Sequence, residues 1–361
     1  MAMATTTESP YCVGLIASPH PHATGHRRTL EALPDVTRIL CAGVGGESGD
    51  ALAAGVEKAE AVADVDALLS GAEVDALLVC VRNDLCPAIL EAAVRAGKPV
   101  IFEKPGALRA ADLRRVADLA QERDLTLGTF LQWRGNPLIQ EVRRAVAEGA
   151  LGRIMSVEAR MVTSQVRYRD PQHWLFRRET AGSWILSWLA CHYLDALCYL
   201  LDDRVAQVTA LVASQNPEQV EVEDTAGVVL RFAGGALGTL NAGYHLRGSA
   251  AGYAGAAYDT FLALRGELGD ARLPLSERMA YTLYSEAPGW RSGGRRERSF
   301  ELPPSPAYGG VAGEEFLRQF LHAARRREPA LSPIRAAVHV LEVVEAALES
   351  SATGRAVTLK G

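Results

Sequence analysis

Short unbroken apolar runs alternate with stretches of helical spacing over the first third of the chain. YCVGLI, beginning at Tyr11, precedes a segment whose apolar positions recur at helical intervals until Pro34 stops it. VTRILCAGV follows, and then, past Ala51 to Ala54 and Asp64 to Leu69, comes the run VDALLVCV. A helix from Cys86 to Ala96 closes at Gly97, KPVIFEKP makes the next strand, and a helix from Ala110 to Arg123 leads into LTLGTF. Strands without polar alternation, interleaved with helices, predict a parallel sheet covered on both faces.

The pattern changes near Leu131. A helix from Pro137 to Glu148 ends at Gly149 and gives way to GRIMSVEARMV, a strand with polar outward positions. SWILSWLACHYLDALCYLL reads as an apolar helix, and VAQVTALVAS, TAGVVLRFAGG and ALGTLNAGYHL as strands joined by turns. Helices at Gly313 to Arg325 and Ile334 to Ser350 close the chain. The fold class is therefore α/β. A loose tail (1–10) precedes a Rossmann-type doubly wound parallel sheet (11–130), and an α+β domain with a large, mostly antiparallel open sheet fills 131–361.

A chain of 361 residues, 48% apolar and 22% charged, supports two such cores. Its net charge of -5, without a dense basic block, disfavours nucleic acid and membrane surfaces as partners, and RRERS near Arg295 reads as a solvated loop. The opening MAMATTTESP lacks a signal peptide's pattern and no stretch reads as a bilayer span, so a cytoplasmic protein is expected. The six cysteines include no CxxC and lie mostly in apolar runs, which predicts buried free thiols.

VDALLVCVRNDLCPAILEAAVRAGKPVIFEKP resembles the strand-helix-strand block of the glucose-fructose oxidoreductase and inositol dehydrogenase family (Gfo/Idh/MocA), including its Glu-Lys-Pro signature at Glu103 to Pro105. FLQWRGNP, with Arg134 and Pro137, is similar to the family's next segment, and EGALGRIMSVEARM to the start of its second domain. AGSWILSWLACHYLDALCYLL resembles the active-site helix, VEVEDTAGVVLRFAGGALGTL the sheet hairpin, and SATGRAVTL the C-terminal strand. The resemblance implies an NAD(P)-dependent oxidoreductase acting on sugars, inositols or related polyols, assembled as a homodimer or homotetramer through the second-domain sheet. It places Lys104 and His192 in the catalytic positions, and Asn83 and Glu103 at the cofactor. The family's catalytic Asp falls on Trp188.

Oxidation of a secondary alcohol needs a base for the hydroxyl proton and an acceptor for the hydride. His192 suits the base because imidazole titrates near neutrality, and Lys104 can polarise the oxygen. An indole at Trp188 cannot take a proton. With Trp133, Trp174, Trp184 and Tyr193 it predicts an aromatic substrate pocket, suited to a ligand with a planar part, against the simpler reading of core packing. Arg82 and Arg134 are the candidate cations for substrate, Arg82 with a surface salt bridge as its alternative.

The phosphate loop is the second departure. GLIASPHPHATGH puts Ala17, Ser18, Pro19, His20 and His22 where a glycine-rich turn normally meets the pyrophosphate, and Pro19 and Pro21 remove two amide donors. The helix start still attracts anions, and His20 and His22 can donate to a phosphate. ILCAGVGGES also lacks the acidic residue that binds the adenosine ribose. NAD or NADP is expected over an unusual turn, and the His20, His22, His26 trio is not expected to hold a metal. The competing reading is a family member without hydride transfer, performing elimination, isomerisation or cyclisation, or serving as a ligand-binding subunit.

Overall fold

The computed structural model describes residues 10–71, 73–248, 258–276, 279–290 and 294–360. The predicted tail lies outside them except for its last residue.

The first sheet is parallel, and its strands alternate with helices: β1 (Tyr11–Ala17), α1 (Ala23–Ala32), β2 (Val36–Gly43), α2 (Gly49–Ala53), β3 (Ala59–Ala61), α3 (Val65–Ser70) and β4 (Ala76–Cys80). Then come α4 (Cys86–Arg95), β5 (Val100–Phe102), α5 (Ala110–Glu122) and β6 (Leu127–Thr129). Strand order β3-β2-β1-β4-β5-β6 puts the reversal of winding between β1 and β4. These strands are apolar throughout because helices cover both faces; every side chain of β4 is buried.

The chain then runs through α6 (Pro137–Ala147), β7 (Ile154–Ser164), α7 (Arg178–Ala181), a π-helical turn at Ile185–Ala190 and α8 (Cys191–Leu201). Seven strands follow: β8 (Val205–Ala213), β9 (Thr225–Phe232), β10 (Leu237–Leu246), β11 (Tyr258–Gly266), β12 (Gly269–Leu273), β13 (Ala280–Ser285) and β14 (Gly294–Ser299). Helices α9 (Gly310–Arg326) and α10 (Ile334–Thr353) and strand β15 (Val357–Thr358) complete it. The second sheet has nine strands in the order β14-β13-β12-β11-β7-β10-β9-β8-β15, antiparallel except for the β7–β10 pair. Its burial alternates along β9, as one covered face requires. Because β15 pairs with only two residues of β8, the edge amides of Ala210 and Val212 are taken by the Ser350 and Ser351 hydroxyls of α10, both at 3.0 Å.

Three sequence expectations need correction. The division at residue 131 is too simple: residues 303–333 belong to the first compact unit and 107–114 to the second. The return is made by α9, whose Phe316 meets Phe130 at 5.6 Å, and by Ser332, whose carbonyl accepts from the Thr129 amide at 2.9 Å. RRERS is not a loop but the solvated edge strand β14, with Arg298 paired to Glu141. Residues Arg178–Leu201 are long and apolar enough to cross a bilayer, but 78% of that apolar stretch is buried inside the protein, so it serves as a core element. Of the six free cysteines, Cys41, Cys80, Cys86 and Cys191 are buried as expected, whereas Cys12 and Cys198 are only part-buried.

Candidate active site

In the first unit the carboxyl ends of three parallel strands converge on the β1–β4 reversal. β1 ends at Ala17, and the next residue, the buried Ser18, gives its amide to the Cys80 carbonyl at 3.2 Å and accepts from the Arg82 amide at 3.0 Å. Asn83 follows β4 and is buried. The Arg82 guanidinium grips Asp84 through Nε at 3.0 Å and NH2 at 2.7 Å, the salt bridge weighed as its alternative. Glu103 and Lys104 follow β5, and Lys104 is 1% exposed. The Lys104–Pro105 bond is cis, and the turn continues through Gly106 at φ +82°, where a Cβ would lie 2.3 Å from the Phe102 ring.

The turn after β1 is built around Glu103. His22 Nδ1 lies 2.8 Å and His26 Nε2 3.0 Å from Glu103 Oε1, while His20 Nδ1 accepts from the His22 amide at 3.1 Å and touches Cys80 Sγ at 3.2 Å. Burial opposes the Glu103 charge, yet His22, Lys104 and the two histidine hydrogen bonds outweigh it and hold the carboxyl well below its usual range. Burial drives His20 and His22 below the ordinary imidazole value. These inward contacts differ from the expectation that His20 and His22 reach for phosphate. Two prolines keep the turn from wrapping an anion with its amides, and the imidazoles satisfy a buried carboxylate instead.

A dinucleotide still finds a fit here. His22 is the N-cap of α1 without a side-chain cap bond, so the amides of Thr24 and Gly25 in the first turn have no intrahelical acceptor. Tyr308, from the returning segment, packs its ring 4.5 Å from both His22 and His26. No local pattern marked that residue. At the end of β2 the side chain of Glu47 accepts from the Ser48 amide at 3.1 Å, and no carboxylate stands at the strand end itself.

In the second unit His192 lies in the first turn of α8 and is 8% exposed. The π-helical turn that leads into α8 is fixed at its start by the buried Glu223, which takes the Trp184 amide at 2.9 Å and the Ser183 hydroxyl. Sequence reasoning passed over Glu223, although its place in VEVED just before β9 was visible. Trp188 stacks on Trp184 with centroids 5.4 Å apart and planes 8° apart, and Trp184 stacks in turn on Tyr244 at 5.5 Å. Trp174 meets the Trp188 edge at 6.3 Å, and Trp133 meets Tyr193 at 5.9 Å. Trp184 and Trp188 are buried in the core cluster, so the indole at the family's Asp position is part of a packed stack. Arg134 clamps Asp195 through Nε at 2.9 Å and NH2 at 2.7 Å, and its guanidinium lies 4.8 Å over the Tyr199 ring. A cleft of about 530 Å³ in this unit, bordered by Leu108, Arg178, Ser183, Ser187 and Glu345, includes none of the predicted site residues.

Known proteins resemble this chain in both parts. A family model described as an oxidoreductase family with an NAD-binding Rossmann fold matches residues 13–130, which supports the dinucleotide expectation, and the Gfo/Idh/MocA C-terminal domain model matches residues 139–272. The chain is 32% identical over 178 residues to 1,5-anhydro-D-fructose reductase of Ensifer adhaerens, covering 49% of this chain and 53% of that protein. It is 25% identical over 202 residues to levoglucosan dehydrogenase of Pseudarthrobacter phenanthrenivorans, covering 50% of this chain and 52% of that one. The chain thus spans about half the length of the curated relatives it matches. Among solved structures, levoglucosan dehydrogenase in complex with NADH and levoglucosan superposes with a TM-score of 0.84 at 21% identity, covering 98% of this chain and 100% of that one. An oxidoreductase domain protein from Kribbella flavida gives 0.83 at 21% identity with the same coverage, and at such identities the likeness is one of fold. Matched in both domains and in the same order, the chain belongs to the Gfo/Idh/MocA family.

Proposed function

We propose that the chain is an NAD- or NADP-dependent oxidoreductase acting on a sugar-like or cyclic hydroxy or keto compound, with Lys104 and His192 in proton transfer. The observation that carries this reading is the position of Lys104. It is buried at the carboxyl end of β5, in the sheet whose β1–β4 switch point is where doubly wound folds bind their ligands. Ser18 and Asn83 follow the neighbouring strands, and the first turn of α1 offers its amides to phosphate. A bound dinucleotide supplies the hydride acceptor or donor. The protein's own part is to hold the reacting hydroxyl, to hydrogen-bond its oxygen with the Lys104 ammonium, and to take its proton on the His192 imidazole. Relatives named as reductases and dehydrogenases of anhydro-sugars and inositol support this substrate class.

One observation favours the second reading, a family member without hydride transfer. His20 and His22 are engaged with Cys80 and Glu103, and Pro19 and Pro21 give no amides. Calorimetric titration with NAD, NADH, NADP and NADPH separates the two. Micromolar binding of one dinucleotide is expected, followed by turnover on a panel of levoglucosan, myo-inositol and 1,5-anhydro-D-fructose. A folded protein that binds none of the four would reverse the ranking and leave Lys104 and His192 to redox-neutral chemistry.

The open face of the second sheet carries the proposed homo-oligomer. Leu211, Val229 and Leu237 are 75%, 52% and 48% exposed, and strand register places them on one face: Val229 opposite Thr209 and Thr239, Leu237 opposite Arg231, Leu211 opposite Gly227. Sedimentation equilibrium at micromolar concentration is expected to give a dimer or tetramer. A monomer at all concentrations would reject this face as an interface.

A further inference from the structure

We infer that His22, His26 and Glu103 form a binding site for a divalent cation of the zinc class, independent of the dehydrogenase reading. His22 and His26 stand four residues apart at the start of α1, the spacing that turns two imidazoles to one side of a helix. β5 is not adjacent to β1 in the sheet, yet the residue after it, Glu103, delivers its carboxylate between those imidazoles. One ligand atom from each of the three residues lies within 4.8 Å of the others. Tetrahedral zinc, with bonds of about 2.0–2.2 Å, needs ligand atoms about 3.4 Å apart, which small side-chain rotations reach from here.

The donor set also selects the ion. Two imidazole nitrogens and a carboxylate suit a borderline cation such as Zn²⁺. An all-oxygen shell, as Ca²⁺ or Mg²⁺ prefers, is absent among the described residues of the cluster.

A second observation points to a ligand. Glu103 Oε2 is buried with no hydrogen-bond partner, on a side chain that is fully enclosed. Buried polar atoms in a native structure nearly always have a partner. A carboxylate that closes on an ion with both oxygens would satisfy Oε2. The ion would tie the β1–α1 turn to the end of β5, fixing the proline-bearing turn where other dinucleotide folds use glycines and amides. Tyr308, packed at a tilt against both imidazoles, closes the site from the side of the returning segment.

The test uses the whole chain. Protein stripped with chelator and dialysed is titrated with ZnCl₂ by calorimetry, and Co²⁺ is added to a second sample for its visible d–d spectrum. One equivalent of Zn²⁺ per chain is expected, with Kd below micromolar, together with a Co²⁺ spectrum of four- or five-coordinate type. His22→Gln and His26→Gln should each weaken Zn²⁺ binding at least tenfold, in line with loss of one of three ligands. His22→Gln is the safer variant because the His22 side chain is 18% exposed. Absence of stoichiometric binding to the wild-type chain would overturn the site without reference to any variant. So would Zn²⁺ binding unchanged in folded His22→Gln and His26→Gln, since the ion would then sit elsewhere.

Discussion

Lys104→Met is expected to lower kcat on the best substrate of the panel by about 10²- to 10⁴-fold while leaving dinucleotide affinity within a few fold. Methionine keeps most of the length and apolar volume of the lysine stem and deletes only the ammonium. Packing around a side chain that is 1% exposed is therefore disturbed as little as a substitution allows. The lost group is the one proposed to meet charge on the substrate oxygen, an interaction that strengthens toward the transition state and so appears in kcat more than in KM. His192→Gln should give a loss of the same order, because an amide holds a hydrogen bond but takes no proton. A thermal melt within a few degrees of wild type shows that the fold survived. Retention of kcat within threefold in a folded Lys104→Met enzyme would remove Lys104 from the chemistry.

The placement of the candidate residues at strand ends was legible in the sequence because it is local. The apolar runs become β1, β2, β4 and β5, and the proposed site residues Ser18, Asn83 and Lys104 sit just past the carboxyl ends of β1, β4 and β5. What could not be read was where each side chain points. The period of an apolar pattern tells which face is covered, but nothing in SPHPHATGH says that His22 and His26 turn onto a glutamate 81 and 77 residues away. Trp188 posed the same difficulty. Its spacing from His192 is visible, whereas its stacking on Trp184 is a property of the assembled core.

The long returns were hidden for a related reason. Residues 303–333 carry an ordinary amphipathic helix, α9, whose apolar stripe fits any core, so composition does not say that it packs on α1 and strand β1 rather than on the second sheet. Tyr308 reaches the histidines only by that return. Glu223 illustrates the converse: a glutamate in a polar turn reads as solvated, and its burial at the start of the π-helical turn follows from tertiary structure that brings it to Trp184, 39 residues earlier in the chain.

The second large effect is expected in stability. Arg134→Met should destabilise the chain by about 3–5 kcal/mol, because it leaves the Asp195 carboxylate, 1% exposed, without its cation. The pair is bidentate, yet burial pushes the Asp195 carboxyl above its usual range even with Arg134 beside it. Enclosure therefore costs this carboxylate more than its partner returns, and the pair's value lies in preventing something worse. The double variant Arg134→Met with Asp195→Leu should accordingly recover most of the loss, as an apolar pair of similar volume needs no compensation. Denaturant unfolding of the three variants, with ligand affinity measured alongside, separates structure from binding. If Arg134→Met costs under about 1 kcal/mol but weakens substrate binding tenfold, the guanidinium serves the substrate and not the carboxylate. A double variant as unstable as the single one would instead mean that the guanidinium, which lies over the Tyr199 ring, carries the effect through that contact.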